Sequence, residues 1–364
     1  GADSTVDISA TLRPAIGNSL WSAYGIKLVG TGITIDAGKR IILTSPEGGA
    51  VFSGMNKDNN FKVTLNAPAV ELNGGIKTTG GSVFVDDHQY GDVTINCSDT
   101  DESAQSIVAY GDMSKVSINE KKGGMAKITG GIESNGATVL INMTGNGSFI
   151  NTKGDEKDDW AIFKRKAIES NNGANVTVNT SGSDSFIRGD LEADNGTINV
   201  NASGKRFTLN RSYDYFPAPY LITSKQKDAR INVGISGDDS KVEGKIRAYS
   251  GGTLNLTMSG NHAVYSGGIS TTPEYESWYN PRNDKANVHA IFSGKDASVT
   301  GDIEAIADHG TITTEISGEN STYKGNVSSI GAMIGHSENN SPMVYTIYDG
   351  AAVNLTLDGA HTSQ

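Results

Sequence analysis

Aromatic and basic side chains are concentrated in three spans of the sequence, residues 151–172, 205–230 and 268–286. These spans hold ten of the 25 aromatic residues, and their basic residues outnumber their acidic residues by three. Aromatic faces pack on the apolar faces of sugars, while Lys and Arg pair with sulfate or carboxylate groups. The spans therefore predict a surface for an anionic glycan or a matrix protein, with candidate ligand-binding residues Trp160, Lys164, Arg165, Arg211, Tyr213, Tyr215, Phe216, Tyr275, Trp278, Tyr279 and Arg282. The alternative is that these rings pack within their own loops or cover the core.

Signatures of catalysis are missing, and we expect no catalytic residues, no metal site and no cofactor. The sequence has no His-Glu-x-x-His motif and no Gly-x-Ser-x-Gly turn with a convincing triad order, and its six histidines are scattered. A polysaccharide lyase or hydrolase needs clustered carboxylates. The acidic clusters, which we interpret as solvated turns, are Asp86-Asp87, Asp155-Glu156-Asp158-Asp159 and Asp238-Asp239. The pure protein is therefore predicted not to cleave polysaccharide or peptide.

A short strand motif recurs along the chain, and the strands that it predicts must position the three spans. An aliphatic residue, a polar residue and a second aliphatic residue alternate, so the aliphatic pair faces one side of a strand. Ser-Gly or a related pair follows, and then Gly with an aliphatic residue two positions later. These glycines are predicted to supply the positive φ of sharp corners. The motif starts at residues 33, 63, 93, 116, 139, 176, 198, 231, 254, 288, 312 and 353.

The spacing of the motif predicts one coil of a solenoid per repeat. Short repeats of 22–24 residues alternate with longer ones after residue 139. A propeller blade needs about 40 residues, and the leucine-rich repeat consensus is missing. We predict an all-β fold, a single-stranded right-handed parallel β-helix of about twelve coils that forms one domain over residues 1–364. The three spans are expected to be loops inserted at one phase and stacked on one face, and the residues expected to point inward include Val176, Val178, Ile198, Val200, Leu254 and Leu256.

The composition argues against several classes of protein. The formal net charge of −11 does not suit a general nucleic-acid binder, and the single cysteine, Cys97, excludes a disulfide scaffold. No stretch of about 18 apolar residues is present to span a membrane as a helix. The first residues, Gly1-Ala2-Asp3, have neither the basic nor the apolar region of a secretion signal, so the sequence is expected to begin downstream of one.

The Gly-Thr-Ile/Leu, Gly-x-Ile/Leu and Ser-Gly repeats, in a chain rich in glycine, asparagine and threonine, resemble the passenger domain of a Gram-negative autotransporter (type V secretion) adhesin. The resemblance covers nearly the whole chain and is one of repeat style. It implies a place on the bacterial cell surface or secretion, with membrane attachment only through a C-terminal translocator barrel beyond these residues. It also implies adhesion to host glycosaminoglycans or matrix proteins such as fibronectin.

Two other functions stay open at the level of the sequence. Bacteria could self-associate through the long faces of the helix, in aggregates or biofilm, although the exact repeats of some self-aggregating adhesins are not matched. A polysaccharide lyase, a hydrolase or a phage tailspike could also use this fold, because a fold alone does not select a function.

Overall fold

The computed structural model describes residues 5–9, 32–45, 50–53, 62–86, 91–97, 105–120, 123–152, 166–211, 220–271, 285–306, 310–330, 333–336, 344–347, 352–357 and 360–362. Within these ranges every regular element is a β-strand, and the strands are numbered β1 to β38 in chain order. The predicted all-β class is confirmed.

Nearly all of the strands belong to three long parallel sheets, named A, B and C. Sheet A contains β1 (Thr5–Ser9), β3 (Arg40–Thr44), β6 (Ala69–Asn73), β9 (Val93–Asn96), β12 (Ala126–Thr129), β15 (Phe149–Asn151), β18 (Phe186–Arg188), β21 (Thr208–Asn210), β24 (Lys241–Glu243), β27 (Val264–Ser266), β30 (Ser298–Thr300), β33 (Ser321–Lys324) and β38 (Ala360–Thr362). Sheet B contains β2 (Gly32–Asp36), β5 (Lys62–Asn66), β8 (Ser82–Asp86), β11 (Lys115–Asn119), β14 (Thr138–Met143), β17 (Asn175–Thr180), β20 (Thr197–Ala202), β23 (Arg230–Ile235), β26 (Thr253–Met258), β29 (Asn287–Phe292), β32 (Thr311–Ile316) and β37 (Ala352–Leu357).

Sheet C is the third sheet and contains β4 (Val51–Ser53), β7 (Ile76–Thr79), β10 (Gln105–Tyr110), β13 (Gly131–Asn135), β16 (Lys166–Asn171), β19 (Asp190–Asp194), β22 (Ile222–Lys225), β25 (Ile246–Tyr249), β28 (Ile269–Ser270), β31 (Ile303–Ile306) and β34 (Val327–Ile330). An antiparallel pair, β35 (Met333–His336) and β36 (Val344–Ile347), lies outside the three sheets. The chain visits sheets B, A and C in turn and pairs each strand with its counterpart one coil away. The fold is therefore the predicted parallel β-helix, with twelve coils counted along sheet B. A right-handed sense is expected of it, because about 98% of crossovers between parallel strands are right-handed.

The core is a narrow stack of aliphatic side chains inside the coils. Alternate residues of each sheet B strand point inward, and the six residues predicted to do so, at positions 176, 178, 198, 200, 254 and 256, are fully buried. The register places Val176 directly between Val139 and Ile198 of the neighbouring coils. Burial of one such side chain contributes about 1.5–3 kcal/mol, so these inward rows stabilise the stacking of coils.

One motif of the sequence belongs to a different sheet from the others. Val93 lies in β9 of sheet A, whereas the row in sheet B passes through Val83, which pairs with Val63 and Val116. The prediction missed Val83 because Phe84 occupies the outward position where a polar residue was expected. Lys62 and Lys115 cover that ring, with their Nζ atoms 4.8 and 5.6 Å from its centroid.

With Val83 in place, long and short coils alternate along the whole helix. The register from residue 33 to residue 353 gives long coils of 30, 33, 37, 33, 34 and 41 residues, separated by short coils of 20, 23, 22, 23 and 24 residues. The sequence predicted this alternation only after residue 139, whereas it begins at residue 33. Every second coil carries an insertion.

The Ser-Gly pairs form a column of glycines at the corner between sheets B and A. A Cβ atom on any of them from Gly124 onward would overlap the carbonyl oxygen of the previous glycine in the column. None of these glycines has a positive φ, so close approach of two coils requires glycine here, and the positive φ predicted for the Ser-Gly glycines themselves is wrong. The left-handed residue of this corner lies two positions after the column glycine, as at Asp184, Arg206 and Asp239. At the corner between sheets A and C, glycines do supply a positive φ, at Gly189, Gly244 and Gly301. The column comprises Gly91, Gly124, Gly145, Gly182, Gly204, Gly237, Gly260, Gly294 and Gly318.

Candidate ligand-binding face

All three predicted loops connect to strands of sheet C. Segment 153–165 joins β15 to β16, and segment 212–219 joins β21 to β22, so both enter sheet C from sheet A. Segment 272–284 instead leaves sheet C after β28 and leads to β29 of sheet B. The single phase predicted for the three is therefore wrong for the third. Strand β28 has only two residues, so the sequence pattern does not reveal that the chain enters sheet C before the insertion begins.

The three insertions, as defined by these segments, are nevertheless spaced regularly along one sheet. Strands β16, β22 and β28 are each separated by a single strand, β19 or β25. At about 4.8 Å per strand, the points where the insertions meet sheet C lie roughly 10 Å apart. The spans predicted from the sequence were wider than the insertions, because residues 166–171, 205–211 and 220–230 form regular strands and turns of the coils.

Arg211 is the one candidate ligand-binding residue that the structure describes. Its Nε and Nη2 atoms donate to the two carboxylate oxygens of Asp190 at 2.8 and 3.2 Å, and its side chain is 16% exposed. Burial raises the pKa of Asp190 above its usual 3.8, and the guanidinium offsets only part of that effect. Arg211 is thus held by a carboxylate of the neighbouring coil, which differs from the predicted role of an open cation. The other candidates lie outside the described residues: Trp160, Lys164, Arg165, Tyr213, Tyr215, Phe216, Tyr275, Trp278, Tyr279 and Arg282.

The basic excess of the predicted spans belongs to the coils. The segments 153–165, 212–219 and 272–284 contain five basic and eight acidic residues, so the insertions themselves are net acidic. Most of the basic residues that remain lie beside a carboxylate one coil away. These pairs are Lys166–Glu192, Lys205–Asp238, Arg206–Asp184, Arg211–Asp190 and Lys225–Glu192. The charge argument for an anionic glycan is corrected accordingly, whereas eight of the ten aromatic residues do fall in the insertions.

Two of the aromatic residues counted in the spans lie in the coils and not in the insertions. Phe207 is fully buried in the core, directly before β21. Tyr220, the first described residue after segment 212–219, packs on the guanidinium of Arg247, which lies 4.2 Å from its ring centroid. Tyr249 packs on the same guanidinium at 4.6 Å. This stack lies where the second insertion rejoins sheet C. It was missed because Arg247 and Tyr249 belong to the next coil.

Glu192 in β19 is the centre of an ion-pair network on the outer face of sheet C. Lys166 and Lys225 each donate to its Oε1 atom at 2.8 Å, and Lys166 also donates to Glu169 at 2.8 Å. Burial favours the neutral form of Glu192, but the two ammonium groups outweigh burial and hold its pKa below the usual 4.5. The same carboxylates raise the pKa of Lys166 above 10.5 against the effect of burial. The network joins β16, β19 and β22, and two insertions enter the sheet at β16 and β22.

Glu192→Gln is expected to destabilise the protein by about 1–3 kcal/mol at neutral pH, because two partly buried ammonium groups lose their shared carboxylate. A carboxylate whose pKa is lowered by folding stabilises the fold fully above its unfolded pKa, here near 4.5, and loses that effect as pH falls through the folded value. Urea midpoints of parent and variant should therefore differ at pH 7 and converge in acid.

The matched control for this prediction is Glu319→Gln, which removes a carboxylate that is 72% exposed and pairs with Lys295 at 3.3 Å. An exposed pair contributes about 0–1 kcal/mol, so this variant should unfold close to the parent. A Glu192→Gln midpoint no lower than that of the control would show that the network does not brace sheet C.

The acidic clusters of the sequence have ordinary partners where the structure describes them. Asp238 lies 3.4 Å from Lys205 and accepts a hydrogen bond from the backbone N–H of Asn261, which lowers its pKa. Asp239 contacts His262 at 3.2 Å. Asp86 accepts from Asn119 at 3.5 Å. Asp87 and the cluster at residues 155–159 lie outside the described residues.

The chain matches no protein-family model, no curated protein and no solved structure. Over the described ranges, no group of three or more His, Cys, Asp and Glu side chains is placed to hold a metal ion. The same ranges contain no helix of the length and apolarity that crossing a membrane requires.

Two concave surfaces lie away from sheet C and were not expected from the sequence. One of about 470 Å³ lies on the outer face of sheet A, beside Phe186 and Arg188. Phe186 stacks on Phe149 of the neighbouring coil at a centroid distance of 5.1 Å. The other, of about 940 Å³, follows the corner between sheets B and A. The sequence signal that could have revealed the surface on sheet A is an aromatic residue at the outward position of two paired strands.

Proposed function

We propose that this chain is the surface-exposed binding module of an autotransporter-type adhesin, and that its ligand lies against the outer face of sheet C. The observation that supports this proposal is the regular placement of three aromatic-rich insertions along that one sheet. Twelve coils at about 4.8 Å each make a rod roughly 55 Å long, which holds such insertions on rigid strands. The ligand is a host glycan or an extracellular-matrix protein.

Contacts with aromatic rings are proposed to dominate this recognition. The insertions are net acidic, and the neighbouring Arg211, Lys166 and Lys225 are already paired with carboxylates of sheet C. Stacking of rings on sugar faces or on apolar side chains does not depend on net charge. Binding should therefore weaken little as salt is raised, whereas the pairing of Lys and Arg with sulfate or carboxylate that the sequence alone predicted would be screened by salt.

The test of this proposal is to shorten two insertions to the bare corner found in a short coil. Gly189 alone joins β18 to β19 in a short coil. Replacing segments 153–165 and 212–219 with single glycines leaves two residues between β15 and β16 and four between β21 and β22, which approaches that short connection. The variant should keep its β-sheet circular dichroism and urea midpoint, and should lose binding to the glycans or matrix proteins that the parent binds in arrays.

The control is to shorten segment 98–104, which enters sheet C at β10, two strands away from β16. This variant should bind like the parent. A parent protein that binds neither class of ligand would contradict the proposed function. Undiminished binding by the variant with two shortened insertions would show that the ligand binds away from this face.

A further inference from the structure

The groove at the corner between sheets B and A crosses six coils, from β11 to β26, or about 24 Å of the helix axis. Almost completely buried residues that end the sheet B strands form its floor: Met143, Thr180, Ala202 and Ile235. One rim carries the amides of Asn119, Asn142, Asn179 and Asn201, and the other carries the Ser and Thr residues that precede the glycine column. The groove thus presents an amide on one rim at four of its six coils and a hydroxyl on the other rim at five.

The asparagine rim is a hydrogen-bonded ladder that stops inside the groove. The Nδ2 atom of Asn142 donates to Asn119 Oδ1 at 3.2 Å, and Asn179 and Asn201 each donate to the preceding asparagine at 2.8 Å. The next position in the register is Gly234. No described residue donates a hydrogen bond to Asn201 Oδ1, so the ladder ends with a free acceptor.

Gly234 is not required by the fold around it. It lies inside β23 without a positive φ, and a Cβ added there would meet nothing nearer than Asn201 Oδ1 at 3.8 Å. Glycine inside a strand costs about 0.5–1 kcal/mol relative to Ala. Such a residue often marks a site where a ligand approaches the backbone. Gly234 opens a notch in the rim, next to the free acceptor.

We propose that this groove binds a neutral, linear oligosaccharide, with one sugar ring seated in the notch at Gly234 and a sugar hydroxyl donating to Asn201 Oδ1. The site is separate from the face of sheet C proposed above. Its amides and hydroxyls repeat at about 4.8 Å, close to the length of one sugar ring, whereas an extended peptide repeats at about 3.4 Å per residue and falls out of step.

The charge of the groove also selects a neutral ligand. Its only charged lining residue in the described part of the chain is Glu120, which is buried. The carboxylate of Glu120 accepts hydrogen bonds from Thr144 Oγ1 and from the backbone N–H of Gly145, both at 2.9 Å. An internally paired carboxylate leaves no ionic contact for a sulfated or cationic ligand.

Gly234→Asn is the test, because an asparagine there continues the ladder and fills the notch. The urea midpoint should stay the same or rise, while affinity for neutral β-1,4-, β-1,3- or α-1,4-linked glucose hexasaccharides, measured by calorimetry, should fall by about tenfold or more, equivalent to about 1.4 kcal/mol. His289→Asn is the control, since it adds to the ladder of Asn255, which donates to Asn232 at 2.8 Å, outside the groove. This control should bind like the parent.

Three results would overturn the proposal: no binding of any of these hexasaccharides by the parent, equal binding by Gly234→Asn, or binding only of an uncharged extended peptide that Gly234→Asn abolishes. The protein with segments 153–165 and 212–219 shortened should bind the hexasaccharides as the parent does. That arm separates failure of the groove from failure of the proposed function at sheet C.

Discussion

Gly237→Ala is expected to cost about 3 kcal/mol or more, or to prevent folding, because the new Cβ atom would overlap the carbonyl oxygen of Gly204 one coil below. The two coils cannot separate to make room without breaking the turn at this corner. Ser240 Oγ donates to the carbonyl of Gly237 at 2.8 Å, and the N–H of Lys241 donates to the carbonyl of Phe207 at 2.8 Å. Urea unfolding followed by circular dichroism measures the loss.

Gly234→Ala, three residues earlier in the chain, is the matched control. The added Cβ atom has room, and the backbone there suits any residue, so this variant should be more stable than the parent by about 0.5–1 kcal/mol. Opposite signs for two Gly→Ala changes three residues apart are the expected result. Equal midpoints would show that the glycine column is not a contact between coils.

Phe292→Ala is the second change with a large expected effect, a loss of about 3–5 kcal/mol. Phe292 ends β29 with a side chain that is almost completely buried, and its ring packs on Tyr265 at a centroid distance of 5.4 Å. Tyr265 is equally buried, and its hydroxyl donates to the carbonyl of Gly268 at 2.9 Å. Truncating Phe292 removes the partner of that ring and leaves a cavity in the core.

In a solenoid each coil contacts only its neighbours, so the damage from Phe292→Ala should be local. Hydrogen exchange should rise first in β26, β29 and β32, and strands near β14 should keep the protection of the parent. Phe186→Ala on the outer face of sheet A is the control, since it loses only a stacked pair that contributes about 0.5–1.5 kcal/mol. Uniform loss of protection along the rod would contradict a stack of separately packed coils.

The parts of the fold that depend on local pattern could be predicted from the sequence. Alternation of aliphatic and polar residues determines which side of a strand is buried, whatever the strand pairs with. Val176, Val178 and their counterparts were therefore placed correctly. Coils of 22–24 residues left room for only three short strands and their turns, so the solenoid and its twelve coils followed from the spacing.

Pairing between coils decided the features that the sequence pattern misplaced. Val93-Thr94-Ile95 and Val83-Phe84-Val85 compete as the third motif, and only the register shows that the second continues sheet B. The same register pairs Arg211 with Asp190 and Lys166 with Glu192. Each carboxylate lies more than 20 positions away from its partner in the chain. Charge counted along the sequence could not detect these pairs.

The sequence by itself thus determined that the chain is a β-helix with aromatic-rich insertions, because burial within a strand depends on near neighbours in the chain. The tertiary structure alone decided which corner each insertion leaves, which charges remain open, and that Gly234 interrupts a ladder while Gly237 supports a corner. In the sequence these are two glycines three residues apart. Their roles differ because Gly234 faces a free amide oxygen, whereas Gly237 faces the backbone of the preceding coil.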